Sequence, residues 1–388
     1  MALHTPYRHP ALEALLEQFR QSAAQRDLAG GHAGAEKQQL RAAKLLNLSI
    51  PKAYGGDQLP WPQLYKIIRR LAEVDSALAH VLAFHHLQVI TVLIYADAEQ
   101  QQALLTPTAA EGLWWGNAMN PLDQRLIAKP NDEGYELNGA KGFCSGTRGS
   151  DWMTISAHLP DAPYPLLAVV PTACVKQLDD WNPIGQRQTD SISVALDQVR
   201  IGAEWVIKQP HSAPTAAHSL RNCFAQLVLV NLYLGIAQGA LDEGCLFMAE
   251  QTRPWLSSGV ERRIDDPFQQ QRVGLLDAQI SGAAAQADVA AALVQQAFDL
   301  GSALSADERG EVSIAICRAK ALAHQAALSA SEALFEMTGA KGCDQRYGFD
   351  RFWRNARTHT LHDPIDYKLK QIGQWRLTGQ WPNPQHYS

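Results

Sequence analysis

The sequence predicts an α+β protein built as helices, then strands, then helices, and three observations carry that prediction. Apolar residues recur with a period near 3.6 from Ala11 to about Leu113, with a period near two from Trp114 to Ile207, and again near 3.6 from His211 onward. The 388 residues suffice for between two and three cores of ~150 residues each. With 46% hydrophobic and 19% charged residues and an ordinary share of Gly and Pro, the composition excludes extended disorder and collagen-like architecture. The expected division is an α-helical N-terminal domain over residues 1–113, a β middle domain over 114–210 and a C-terminal helical bundle over 211–388.

In the first block, Leu12, Leu15, Leu16 and Phe19 mark an amphipathic helix rather than the apolar run of a signal peptide. Pro and Gly within Ile50–Asp57 and Leu59–Pro62 end one helix and turn the chain before the next. Asp75 and Ser76 then precede the apolar stretch Ala77–Ala96, where His80, Phe84 and His85 lie on or near one helical face. Such histidines are either satisfied core groups or members of a site. In the middle block, Tyr135–Leu137, Met153–Ala157, Leu166–Val170 and Ser191–Val199 alternate or are short and apolar. Asp132-Glu133-Gly134 and Asn138-Gly139 read as hairpin turns, so an antiparallel β-barrel or sandwich of roughly a hundred residues is expected. The last block offers three long Ala-rich segments, Leu220–Glu250, Phe268–Leu300 and Val312–Gly339, whose small residues suit close helix packing.

Lys plus Arg total 34 against 39 Asp plus Glu, and the net charge of −5 argues against nucleic acid as a partner. Six widely spaced cysteines are expected to be reduced thiols of a cytoplasmic protein. The most apolar run, Leu227–Ala237, is interrupted by Asn231 and falls short of the ~20 residues of a membrane span, so no membrane association is expected. His359-x-x-His362-Asp363 could set two imidazoles on one helical face, yet no zinc pattern is present and Pro364 interrupts the ladder, so no metal is expected. No G-x-S-x-G elbow, dinucleotide fingerprint or P-loop occurs. What stands out is aromatic and polar residues in turn-rich places: Trp114–Ala118, Cys144–Gly146, Asp180–Gly185 and Arg351–Asn355. A flat cofactor such as an isoalloxazine needs an aromatic wall, short-range donors for its edge and a guanidinium for its phosphate, and these segments supply all three types.

The segment Pro51-Lys52-Ala53-Tyr54-Gly55-Gly56 and the three-block order resemble the acyl-CoA dehydrogenase superfamily. Six further stretches are similar to its oxygen-using branch, the flavin-dependent monooxygenases with alkylsulfone-linked members: Trp114–Ala118, Asn138–Asp151, Asp180–Asp190, Tyr233–Leu241, Thr252–Gly259 and Arg346–Pro364. The dehydrogenases remove a thioester α-proton with a carboxylate base, but the comparable stretch here is Thr358-His359-Thr360-Leu361-His362-Asp363, with histidine at the base position. The resemblance therefore implies a two-component monooxygenase. It would take reduced FMN, rather than FAD, from a separate NAD(P)H:flavin reductase and use O2 through a C4a-peroxyflavin. The implied substrate is a small hydrophobic molecule, organosulfur or aromatic heterocyclic. The alternative is an FAD-dependent acyl-CoA dehydrogenase with a displaced base.

By the same resemblance, His362 is the proton donor beside the flavin, with His80 across the pocket, Ser145 near flavin N5 and Asn117 near the oxygen-reacting face. Imidazole suits such a task because its ordinary pKa of ~6.5 lets it donate and accept near neutrality. Trp181 is placed against the ring, Arg253 on the phosphate, and His80, Phe84 and Trp115 in the substrate pocket. His85, His86 and His359 are expected to pack or orient neighbours, and Cys144 and Cys343 to be structural. Two departures concern the substrate: Phe84 stands where a member of the branch has tyrosine, and the rim segment Met119–Asp123 is shortened. The family is tetrameric, and the long apolar helix Leu220–Glu250 is expected to leave surface for a dimer of dimers.

Overall fold

The structure, a computed structural model, describes residues 8–120, 122–251 and 253–384. Five helices come first: α1 (Pro10–Ala29), α2 (Gly34–Ala42), α3 (Trp61–Ala72), α4 (Ser76–Tyr95) and α5 (Ala98–Glu111). Asp75 caps α4 by accepting from Leu78 N at 2.9 Å, and Asp97 with Gln100 forms a reciprocal cap on α5.

Eight strands follow. One sheet has the order β1 (Trp115–Ala118), β4 (Trp152–Ala157), β5 (Leu166–Pro171), β8 (Val206–Lys208); the other is β2 (Ile127–Pro130), β3 (Gly134–Cys144), β7 (Ile192–Gly202), β6 (Lys176–Gln177). Leu137, Met153, Ile155, Ala168, Val170 and Val194 fill the space between the sheets, so the domain is a sandwich. The outer face of the first sheet packs Trp115, Leu167, Val169 and Ile207 against Val89, Val92, Leu104 and Leu105 of α4 and α5. Pairing is antiparallel except for β1 with β4, which run parallel because the chain visits the other sheet through β2 and β3 in between. Asp132-Glu133-Gly134 does form the β2–β3 turn, with Asn131 Oδ1 accepting from Gly134 N at 2.7 Å. Asn138-Gly139 does not turn the chain. It is a bulge inside β3, where the register with β7 shifts and Asn138 Oδ1 accepts from Gln198 N at 2.7 Å.

The third block holds α6 (Ala216–Glu250), α7 (Pro267–Leu300), α8 (Ala306–Thr338) and two shorter helices, α9 (Asp350–Thr360) and α10 (Ile365–Thr378), which the periodicity did not single out. α6 crosses α3 so closely that a Cβ on Gly239 would sit 2.1 Å from the Glu73 carbonyl oxygen. By length and hydropathy α4 and α6 could cross a membrane, but 83% and 89% of their apolar windows are buried in the fold, which makes them its core helices. That corrects the expectation for Leu220–Glu250: its apolar face is covered by its own chain. Apart from Leu246 near its end, α6 leaves no large apolar side chain exposed; others that are exposed include Phe268, Leu275 and Val289 on α7, Leu369 and Leu377 on α10, and Trp255 and Leu256 between α6 and α7.

Candidate active site

The ends of β1 and β3 meet where Asn117 N donates to the Ser145 carbonyl at 3.0 Å. From Ser145 a chain of hydroxyls runs inward: Ser145 Oγ to Ser191 Oγ at 2.9 Å, Ser191 Oγ to Thr189 Oγ1 at 2.8 Å, and Thr189 Oγ1 donating to the Gln186 carbonyl at 3.0 Å. Trp181 Nε1 donates to the same carbonyl at 3.0 Å. Phe143, Gln186 and Asp190 all adopt left-handed backbone angles here, at φ 57°, 57° and 49°. Non-glycine residues hold that conformation only where surrounding contacts over-determine it. The first block supplies some of those contacts: His32 Nδ1 lies 2.8 Å from Asp190 Oδ2, and Lys37 Nζ 3.9 Å from it.

Gln186 ties this loop to two helices. Its N–H donates to Asn355 Oδ1 at 2.5 Å on α9, and its Nε2 donates to Ser76 Oγ at 3.0 Å at the start of α4. A Cβ on neighbouring Gly185 would lie 2.1 Å from the Arg354 carbonyl oxygen, so only glycine lets the loop approach α9 this closely. One helical turn beyond Ser76 stands His80, and one turn beyond Asn355 stands His359. The two imidazoles meet with ring centroids 4.9 Å apart, and His80 also stacks on Phe84 at 4.0 Å.

Both ring nitrogens of His80 and Nδ1 of His359 are buried with no hydrogen-bond partner. Burial pushes the His80 pKa far below the ordinary histidine value, helped by His359 and His362, and pushes His359 down to about 3. Both are neutral at physiological pH. His362 follows α9, with 40% of its side chain exposed and Nδ1 3.0 Å from Asp363 Oδ1. Burial works to raise the Asp363 pKa, but the His362 hydrogen bond and the ammonium groups of Lys320 and Lys368 outweigh it and hold the carboxyl well below its usual range. An ionised carboxylate only accepts, so His362 donates to Asp363 from Nδ1. Lys320, bonded to Asp363 and Gln226 in the core, is pushed down to about 8 by burial.

The structure thus brings together His80, Phe84 and His359, and joins Asn117, Ser145 and Trp181 in a second group bridged to the first by Gln186. Two expected members stand apart. Trp115 is 1% exposed, packs edge-on against Trp152 at 5.2 Å and donates from Nε1 to Thr108 Oγ1 at 3.0 Å, so its indole anchors β1 to α5 rather than lining an opening. Arg253 is exposed beyond the end of α6. Tyr233, whose hydroxyl donates to the His359 carbonyl at 2.8 Å, is separated from Glu250 by about 26 Å at 1.5 Å rise per residue. Arg253 therefore does not reach the cluster of its own chain. His85 and His86 hold the loop before α3, through the Leu46 carbonyl at 2.9 Å and the Leu45 carbonyl at 3.0 Å. Cys144 is buried with its thiol pushed up to about 12, which leaves it inert. Pro121 of the rim and Thr252 lie outside the described residues.

Phe143, Gln186 and Lys320 were not singled out from the sequence, and Asp363 was weighed only as a metal ligand. Phe143 is 68% exposed, left-handed and edge-on to Trp181 at 6.1 Å, two residues before Ser145. The group fits a flavin ring: an aromatic pair at Phe143 and Trp181, a hydroxyl at Ser145 for the ring edge, and unpartnered imidazole nitrogens opposite.

Family models for the acyl-CoA dehydrogenase N-terminal and C-terminal domains match residues 6–112 and 227–367. The chain belongs to the acyl-CoA dehydrogenase superfamily. Its relatives at 37–40% identity are flavin-dependent monooxygenases. A dibenzothiophene monooxygenase of Rhodococcus qingshengii is 40% identical across 95% of this chain and 93% of its own. A probable FMNH2-dependent monooxygenase of Pseudomonas putida is 39% identical across 100% and 99%. The solved structure of methanesulfinate monooxygenase from Pseudomonas fluorescens superimposes with a TM-score of 0.95 at 38% identity, covering 100% of both chains. This member of the superfamily is accordingly an FMNH2-dependent monooxygenase.

Proposed function

We propose that the enzyme oxygenates a small organosulfur compound with O2 and reduced FMN delivered by a separate NAD(P)H:flavin reductase, in the cytoplasm, where its six free thiols stay reduced. One observation carries the choice over thioester dehydrogenation. The carboxylate adjoining the histidines, Asp363, is ion-paired to Lys320 and Lys368, which makes it too weak a base to take a thioester α-proton, and the groups beside it are imidazoles. Reduced FMN, when bound, supplies two electrons. Thr189 gives its proton to the Gln186 carbonyl, so Ser191 donates to Thr189 and Ser145 to Ser191; the Ser145 oxygen is the proposed acceptor for the ring edge, and Trp181 with Phe143 the aromatic wall. His362, fixed by Asp363, is the proposed proton donor, and the buried, unpartnered nitrogens of neutral His80 and His359 are free to hydrogen-bond a bound group.

The proposed assembly is a homotetramer of three-domain subunits divided at residues 113 and 210. The exposed apolar residues of α7 and α10 support it, and Arg253, remote from its own cluster, is available to the flavin phosphate of a neighbouring copy. The reading is tested by mixing the protein and reduced FMN anaerobically with oxygenated buffer in a stopped-flow spectrophotometer. A transient that outlives the reoxidation of free flavin is expected, with His362→Ala shortening it and lowering turnover by ~10²–10³-fold. Reoxidation at the free-flavin rate, with acyl-CoA bleaching bound FAD, would favour the dehydrogenase.

A further inference from the structure

Along α4, the residues His80, Phe84, Gln88, Thr91 and Tyr95 form one stripe by their helical spacing. The histidine pair occupies one end of it. At the other end, the guanidinium of Arg221, five residues into α6, donates from Nε to Thr91 Oγ1 and from Nη2 to Asn117 Oδ1, both at 3.3 Å. Thr91 spends its own proton on the Leu87 carbonyl at 2.6 Å, so it can only accept from the arginine. Arg69, Arg70 and Arg354, also half-buried, each face a carboxylate. Arg221 faces none among the described residues. Among the described residues two of its five N–H donors find a partner, in long hydrogen bonds. A desolvated cation in that state is costly unless an anion joins it.

We propose that Arg221 is the specificity residue of the substrate pocket and binds the oxoanion head of a small organosulfur substrate, a sulfinate. Asn117, whose N–H donates to the Ser145 carbonyl and whose Oδ1 accepts from Arg221, places the guanidinium beside Ser145. The inference rests on the monooxygenase reading. In the reaction one atom of O2 forms the new S–O bond of the sulfonate, and the other leaves as water with the two hydrogens of reduced FMN. Sulfur and the reduced flavin each give up two electrons.

The same oxoanion chemistry is offered by the phosphate of FMN, and Arg221 could also serve only to position Asn117, so the test separates all three. Binding of methanesulfinate to the FMN-loaded protein is measured by calorimetry, FMN and riboflavin affinities by fluorescence, and methanesulfinate KM and kcat with a flavin reductase present. Arg221→Gln is expected to weaken methanesulfinate binding and raise its KM by about thirtyfold or more, with Arg221→Lys recovering much of the loss. Three results overturn the proposal: wild-type protein that does not bind methanesulfinate, a variant that loses kcat with binding unmoved, or one that loses only its preference for FMN over riboflavin. Wild-type binding without oxygenation would overturn the monooxygenase reading and leave the anion site standing.

Discussion

His85 illustrates how a single side chain couples the site to the fold. Its Nε2 donates to the Leu46 carbonyl at 2.9 Å, and its Nδ1 receives the Trp115 N–H at 3.3 Å, so the ring links the loop before α3 to the first strand. Burial depresses its pKa to about 4. A histidine with a depressed folded pKa contributes its full stability above the unfolded value of ~6.5 and loses it as pH falls toward the folded value. The loss amounts to about 1.4 kcal/mol per pH unit per such group. Urea midpoints at pH 7 and pH 5 should therefore show a marked acid destabilisation, and His85→Gln should reduce the difference by about 2 kcal/mol. The residue scale is also where the sequence was most readable: His80, Asn117 and Ser145 stand out by type and neighbourhood. Phe143 did not, because its left-handed backbone and 68% exposure are properties of the folded strand end.

At the scale of elements, α6 organises the helical domains, and the contact that decides its placement is its crossing with α3. A methyl on Gly239 would meet the Glu73 carbonyl oxygen at 2.1 Å and Phe352 Cε1 at 2.9 Å, and neither neighbour can withdraw without moving a helix. Gly239→Ala is expected to destabilise the protein by ~1–3 kcal/mol or more, read as a lowered urea midpoint with an unchanged slope. The same displacement would shift α9, which carries Phe352 and His359, so turnover should fall together with stability. Long helices and the β block were legible because each repeats its period over many residues. The bulge at Asn138-Gly139 was not, since a turn and a bulge draw on the same residue types and differ only in whether the partner strand continues past them.

For the whole molecule, the apolar surface that a single chain leaves uncovered predicts assembly. Phe268, Leu275 and Val289 on α7 are 74%, 69% and 54% exposed, although the chain buries its other long helices well. Light scattering at micromolar concentration is expected to give four times the 42.6 kDa of one chain, and Leu275→Glu with Val289→Glu to shift the mass downward.

The sequence by itself determined the order of the three blocks, the branch of the superfamily and most of the residue types at the site, because each is written in short stretches whose meaning is local. Tertiary structure alone decided which of those residues meet. His80 and His359 are 279 positions apart and come within 4.9 Å because Gln186 holds α4 and α9 one turn before each histidine. The packed core gave Trp115 to α5 instead of the pocket, and the length of α6 carried Arg253 away from it. It also left Arg221 without a carboxylate. Proximity across such separations follows from packing of whole elements, which no local pattern encodes.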